Sequence, residues 1–366
     1  MTTPPAVYIA GPYVFYRRGY TQLDAFRYAT EARGFTVTLP NDTVLKLDHE
    51  DLRLNGDAIF ENCAVSMDRS DTIICDLAFY RGFEPDGGSV YEIGMAYAKG
   101  ARLYGFTRDL RDMVEKGPTT ALVNGEVEDV EGNPYAYWDL PFCPSLVATT
   151  KLIEGDFYDA LDALEQDYAR ERVAQGRGQG TKDEAAAAEV SAASNESSPR
   201  VYVAGPERYA KDAERSFTRL KELGRSLGLN VLTPLDDAKG VTRIESDDPY
   251  VQAGNDFARW EANLRSADMV VANLSDYHGR EPNSDTAFEC GMAFQLGIPM
   301  IGCMDDTRIM LERIAHRGPD DEYRDQAGSV VENFNYPLNI MFASSMPIYE
   351  GDLEDALRHA AEAMID

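Results

Sequence analysis

The chain contains one sequence twice. VYIAGP at Val7–Pro12 returns as VYVAGP at Val201–Pro206, and SDTIICDL at Ser70–Leu77 returns as ADMVVANL at Ala267–Leu274. YEIGMAYAKG at Tyr91–Gly100 returns as FECGMAFQLG at Phe288–Gly297, and EGDFYDAL at Glu154–Leu161 as EGDLEDAL at Glu350–Leu357. The four blocks keep their order, and their offset stays between 194 and 197 residues. A period that long excludes a solenoid of short repeats and predicts two complete domains, each large enough to build a core. Between them AQGRGQGTKDEAAAAEVSAASNESSP has no aromatic residue and is rich in Gly, Ala, Ser and charge. It cannot bury a core and reads as a flexible tether, or as one stiffened by a short helix through DEAAAAEV. The expected boundaries are 1–173 for copy one, 174–199 for the linker and 200–366 for copy two.

Within a copy, short apolar runs alternate with helical periodicity. VYIAG, FTVTLP, TIICDL and ARLYGFT read as strands. Thr21–Arg33, residues from about 55 to 69, Gly88–Gly100 and DFYDALDALEQDYARER read as helices. Such alternation predicts an α/β fold, a parallel sheet covered on both faces. In that architecture the ligand crevice lies beyond the carboxyl ends of the strands. The loops there are AGPYVFYRRG after the first strand and DLAFYRGFEPDGG after the third. Glu92 follows the second loop, and Glu289 holds the same place in copy two.

Two readings of these glutamates stand open. Ser89-Val-Tyr-Glu92 and Thr286-Ala-Phe-Glu289 both fit S/T-x-x-E, the capping box in which the Glu closes the first turn of a helix. An anion there also suits the helix dipole. The other reading makes at least Glu92 a reagent, because it sits at the expected crevice, which capping does not require.

Composition narrows the field. The chain carries 63 acidic and 35 basic residues, a formal net charge of −28, which repels nucleic acid and anionic membrane surfaces. Only eight of the basic residues are Lys, an imbalance resembling the solvation of proteins from high-salt cytoplasm, where screening removes self-repulsion. Five widely spaced cysteines without a C-x-x-C pair read as reduced thiols, with neither disulfides nor a zinc site. The four histidines show no ligand spacing and read as surface or loop residues, so no metal is expected. No segment approaches the length of a membrane span, and a soluble cytoplasmic protein is expected. The chain has no G-x-x-x-x-G-K-[ST] and no G-x-G-x-x-G after a strand, so phosphate-loop and dinucleotide readings find no support.

The ordered set Y-[IV]-A-G-P, then [ST]-D with an apolar strand, then D-x-G-[ST]-x-x-E-x-G-x-A resembles the nucleoside 2-deoxyribosyltransferase family over nearly all of each copy. The resemblance implies a flavodoxin-like α/β fold, doubly wound and parallel, with no cofactor. It implies cleavage of the N-glycosidic bond of a 2′-deoxynucleoside and transfer of the sugar to another base, or to water in related hydrolases. It assigns the nucleophile to Glu92, with Glu289 as its second-copy candidate. The base-handling acid falls on Asp86, replaced by Asn283 in copy two, where Asp285 stands nearby. The tyrosine positioning the nucleophile falls on Tyr8 and Tyr202. A further family aspartate is missing: Cys63 and Trp260 stand there. The family's Asn-x-Met, supplied by a neighbouring subunit to the sugar's 5′ side, matches Asn339 and Met341 in copy two. Copy one has Cys143 and Ser145 instead.

The copies should therefore pack as an internal pseudo-dimer holding one complete site, made of Tyr8, Asp86, Glu92, Asn339 and Met341. Further homo-oligomerisation stays open. Phe79, Tyr80 and Phe83 are candidates to stack on the base, or else anchor their loop. Glu92 is expected to be kept ionised by the helix N-terminus, and Asp86 to be protonated through the nearby charge of Glu92. The partners implied are a nucleoside and a nucleobase. The competing functions are a nucleoside or nucleotide N-glycosidase and a non-catalytic nucleotide-binding module.

Overall fold

The computed structural model describes residues 4–40, 42–117, 121–123, 126–128, 137, 139–176 and 198–364. The expected tether falls mostly on 177–197 and lies outside the described residues.

Copy one runs β1 (Ala6–Ala10), α1 (Gly19–Ala32), β2 (Thr36–Thr38), α2 (Leu52–Asp68), β3 (Thr72–Asp76), α3 (Gly87–Ala98) and β4 (Arg102–Thr107). It continues with α4 (Met113–Lys116), a β5 (Ala121–Val123)–β6 (Glu126–Glu128) ribbon, α5 (Pro144–Thr149), β7 (Lys151–Glu154) and α6 (Phe157–Gly176). Copy two repeats the plan as β8 (Arg200–Ala204), α7 (Ala213–Ser226), β9 (Asn230–Leu232), α8 (Pro249–Arg265), β10 (Met269–Asn273), α9 (Ser284–Gln295) and β11 (Met300–Met304). It closes with α10 (Met310–Arg313), α11 (Ile340–Ala343), β12 (Ile348–Glu350) and α12 (Leu353–Ala363).

Each copy forms a five-stranded parallel sheet, ordered β2-β1-β3-β4-β7 and β9-β8-β10-β11-β12. The order turns back between the first and third strands, the doubly wound arrangement whose crevice opens at that switch. The central strands β1 and β3 are almost wholly buried, as continuous apolar runs covered on both faces should be. No helix among the described residues is long and apolar enough to cross a membrane.

α3 is buried from Gly87 to Ala96 and α9 from Ser284 to Ala293, on every side rather than along a stripe. A helix apolar all round must be covered all round. The cover is its own sheet and the matching helix of the other copy: one hydrophobic core joins Tyr8, Val90 and Ile93 to Tyr202, Phe288 and Met292. Separate clusters fill the outer faces of the two sheets. The third residue of each E-x-G motif sits at the crossing. A Cβ at Gly94 would strike the carbonyl oxygen of Phe288, and one at Gly291 that of Tyr91. This reciprocal contact is the signature of a two-fold interface folded into one chain.

Gly94→Ala should therefore lower stability by about 1–3 kcal/mol, since the obstacle is a helix backbone that cannot rotate away. In an exposed helix the same change would gain about 1 kcal/mol from helix propensity. Denaturant midpoints of Gly94→Ala and Gly291→Ala check the sign; a gain in either would show that the helices do not meet there.

The copies also exchange arms. α11 of copy two packs on α2 and α3, while α5 of copy one packs on α8 and α9. Between the sheets the loops after β3 and β10 pair, Phe83 N donating to His278 O at 2.9 Å and Arg280 N to Arg81 O at 3.0 Å. His278 stands on a loop, one of the two places expected for it, but its side chain is buried beside Glu84, because this loop is an interface in the folded chain.

Candidate active site

α3 starts earlier than the capping-box reading requires. Asp86 is its N-cap: Oδ2 accepts from Ser89 N at 2.9 Å and from Ser89 Oγ at 2.5 Å. In copy two Asn283 caps α9, its Oδ1 accepting from Thr286 N at 3.2 Å. Asp and Asn are at least as good caps as Ser and Thr, and here they come first along the chain. The glutamates thus fall in the second helical turn, so the capping boxes at Ser89–Glu92 and Thr286–Glu289 do not form. Each instead meets the tyrosine of its first strand: Tyr8 Oη donates to Glu92 Oε1 at 2.5 Å, and Tyr202 Oη to Glu289 Oε1 at 2.6 Å. Capping is excluded as the reason for either glutamate.

A cavity of 470 Å³ opens against Glu92. Asp86, Glu92, Ser89 and Cys63 of copy one face Glu332, Asn339 and Met341 of copy two across it. Tyr8 stands behind Glu92. Asn339 is held by capping α11, its Oδ1 accepting from Met341 N at 2.9 Å. Its amide rests directly on the start of α3, where a Cβ at Gly88 would come within 2.8 Å of both terminal atoms. The glycine of D-x-G is the space that lets copy two reach this site.

Burial governs the protons here. It pushes the Glu92 carboxyl up to about 8, with the charge of Asp86 adding to the rise and the Tyr8 hydrogen bond opposing it. The expectation that the helix N-terminus keeps Glu92 ionised is overturned, because a carboxylate in the second turn of a buried helix loses more hydration than the dipole returns. Asp86 also holds its proton more tightly than usual, but the main cause is burial and not Glu92, against the hydrogen bonds from Ser89 and the charge of Arg81. Its Oδ1 is buried without a partner, free to meet a ligand.

Phe79 and Tyr80 do not line this cavity. Tyr80 is buried with its ring stacked on Phe15, centroids 5.7 Å apart, and the Arg81 guanidinium 4.7 Å from its ring. Phe79 packs on Phe83 and borders a different cavity, of 530 Å³, beyond the ends of β3 and β4. These rings anchor their loop, and the base-stacking expectation gives way: the rings facing the Glu92 cavity are Phe15, Tyr20, Tyr323 and Phe334. Phe15 and Tyr20 belong to the AGPYVFYRRG loop and its helix, which the crevice argument had marked.

The matching place in copy two is filled. Arg208, aligned with Val14 of copy one, donates Nη1 to Glu289 Oε1 at 2.9 Å and Nη2 to Glu289 Oε2. Its guanidinium lies 4.4 Å from the ring of Trp260, the residue aligned with Cys63. The Arg208 and Glu289 side chains are 1% and 3% exposed, so the pair is closed off from solvent. Asp285, aligned with Gly88, accepts from Ser145 N at 2.9 Å and from Tyr209 Oη. It is a structural acceptor for the copy-one arm, not a displaced catalytic acid. Glu289 and Tyr202 keep the hydrogen bond of the open site but are tied into a buried ion pair. Sequence comparison of PYVF with PERY holds the signal for Arg208. Glu332 has no equally clear one beyond an acid inside the apolar run VVENF. Among the described residues no group of three His, Cys, Asp or Glu side chains is placed to hold a metal ion.

Fold and site together define a fused two-copy α/β protein with an open, acid-lined cavity shared between the copies. A family model described as nucleoside 2-deoxyribosyltransferase matches residues 7–137 and again 201–341, and the chain belongs to that family. Comparison with curated proteins finds no match. Similar solved structures include a 2-desoxiribosyltransferase from Leishmania mexicana, 26% identical, covering 45% of this chain and 97% of its own, with a TM-score of 0.36. A conserved protein from Enterococcus faecalis V583 is 20% identical, covering 44% and 99%, with a TM-score of 0.29. A 2-deoxyribosyltransferase from Bacillus psychrosaccharolyticus is 18% identical, covering 36% and 97%, with a TM-score of 0.24.

Proposed function

We propose that this chain is a nucleoside 2-deoxyribosyltransferase of cytoplasmic nucleoside salvage, working at a single composite site, with domains at 1–173 and 200–366. The observation that carries the reading is the asymmetry of the two copies. Asp86 and Glu92 meet Asn339 and Met341 around an open cavity, whereas Arg208 and Trp260 fill the same place in copy two.

In the first half-reaction the ionised Glu92 carboxylate attacks C1′ of the deoxyribose. A Glu92 Oε–C1′ bond forms while the C1′–N bond breaks, and the base leaves with the proton of Asp86. In the second, an incoming base attacks C1′, returns a proton to Asp86 and releases Glu92. Tyr8 holds the nucleophile in place and stabilises its charge by donating to it. A buried acid that holds its proton more tightly than usual and has a free Oδ1 is suited to protonating a leaving base. None of the described residues lining the cavity is Lys, Arg or His, while three are carboxylic acids. Such a lining favours an uncharged nucleoside over a 5′-phosphate.

The test is product analysis of a 2′-deoxynucleoside incubated alone and with a second free base. A new deoxynucleoside supports transfer. Free deoxyribose in both mixtures would replace the transferase by an N-glycosidase, and intact substrate would end the enzymatic reading. The split site adds a check. Asn339→Ala should lower kcat/KM about a hundredfold by loosening the sugar against Glu92, whereas Cys143→Ala at the aligned position should change it little. Equal effects would contradict a shared site.

A further inference from the structure

Glu332 belongs to none of the roles assigned so far. It comes from copy two, in the segment before α11, and borders the cavity beside Asn339 and opposite Asp86. It is 8% exposed, and its Oε2 is buried without a hydrogen-bond partner. The charge of Arg81 and a hydrogen bond from the backbone N–H of Ile340 compensate the carboxyl in part, but neither leaves Oε2 with a hydrogen-bond partner; Arg81 donates Nε to Asp325 at 3.1 Å and Nη2 to the carbonyl of Val330 at 2.6 Å. A buried acceptor left open is costly, and a donor arriving with a ligand relieves that cost. With C1′ at Glu92 and the base at Asp86, the donors a 2-deoxyribosyl group can offer are its 3′- and 5′-hydroxyls.

We propose that Glu332 accepts one of these sugar hydroxyls and thereby excludes a substrate phosphorylated at that position. The inference rests on the nucleoside reading of the cavity. The ionised carboxyl accepts from a hydroxyl but meets a phosphate as a second acceptor of like charge; burial keeps a proton on Glu332 up to about 8, so the exclusion of the phosphate should sharpen as pH rises through that value. The site then selects twice with one group, for the hydroxyl and against its phosphate ester.

The experiment compares kcat/KM of the wild-type chain and Glu332→Gln on a 2′-deoxynucleoside, on its 2′,5′-dideoxy and 2′,3′-dideoxy analogues, and on its 5′- and 3′-monophosphates. The amide keeps the shape and loses the charged acceptor. The expected result is a loss of about ten- to a hundredfold on the parent nucleoside. That loss shrinks to within about twofold on the analogue lacking the hydroxyl that Glu332 holds. The monophosphate at the same position should gain relative to the nucleoside. A merely structural role would lower all the substrates alike. Equal losses on the parent and both analogues, with unchanged discrimination against both phosphates, overturn the proposal while leaving the enzyme a transferase. A wild-type chain that turns over none of them overturns the function itself.

Discussion

Glu92→Gln should leave folded protein with no measurable sugar transfer, a loss on the order of 10⁴-fold or more, the scale set by removing a covalent nucleophile from a preorganised site. The amide retains the size of the side chain and can still accept from Tyr8, so the loss isolates the nucleophile. Glu289→Gln is the control. It breaks an ion pair in a filled site and should leave turnover at Glu92 nearly intact in the folded fraction. Equal losses from the two substitutions would end the assignment. The wild-type pH profile carries the same information. Turnover needs Glu92 ionised and Asp86 protonated, and burial raises both carboxyls, so kcat/KM should follow a bell whose two limbs belong to the coupled pair of acids. Stability depends on pH as well. A carboxyl whose folded value lies above its unfolded one binds its proton more tightly in the folded state. Its contribution is full below the unfolded value and is lost as pH rises through about 8. Glu92→Gln removes that slope, so the variant should gain on the wild type in melting temperature between pH 5 and about 8. A constant difference would show that Glu92 is not held protonated.

Arg208→Ala should destabilise the chain by about 3–5 kcal/mol, the cost of stranding one half of a buried ion pair. For a chain of this size that is a fall of roughly 10 °C in the melting temperature. The geometry makes the loss large. Arg208 grips both oxygens of Glu289, lies over Trp260 and donates Nε to the carbonyl of Gly205 at 3.0 Å. Its removal leaves Glu289 desolvated with only Tyr202. The Arg208→Leu/Glu289→Leu double variant should recover much of the deficit, because replacing both charges by apolar groups removes the desolvation cost along with the attraction. A double-mutant cycle by calorimetry separates the two contributions. Neither variant should gain a second activity, since copy two also lacks the Asp86 acid and the Asn339 arm. A loss under about 1 kcal/mol for Arg208→Ala would mean that the pair does not hold the filled site together.

Residue order alone determined the duplication, the alternation of strands and helices, the parallel sheets and the division of the site between the copies. These are local or repeated signals: a buried parallel strand must be apolar throughout, and a chemical motif recurring at one spacing survives any packing. The presence of Asp86, Glu92 and Tyr8 in one copy and Asn339 and Met341 in the other was legible in the same way. The tertiary structure decided the rest. Only the competition between Asp86 and Ser89 for the cap puts Glu92 in the second turn, facing Tyr8 and not its own helix end. The direction of Phe79 and Tyr80 depends on what packs around the loop, so a run of aromatics could not tell anchors from a base platform. Glu332 borders the cavity because a segment more than 200 positions from Glu92 folds over it. Which glutamate stands open was settled by Arg208 and Trp260, ordinary residues along the chain that become a plug when they meet. Protonation followed from the same contacts, since a carboxyl's hold on its proton depends on the water and charge around it, and both are set by what the fold brings near.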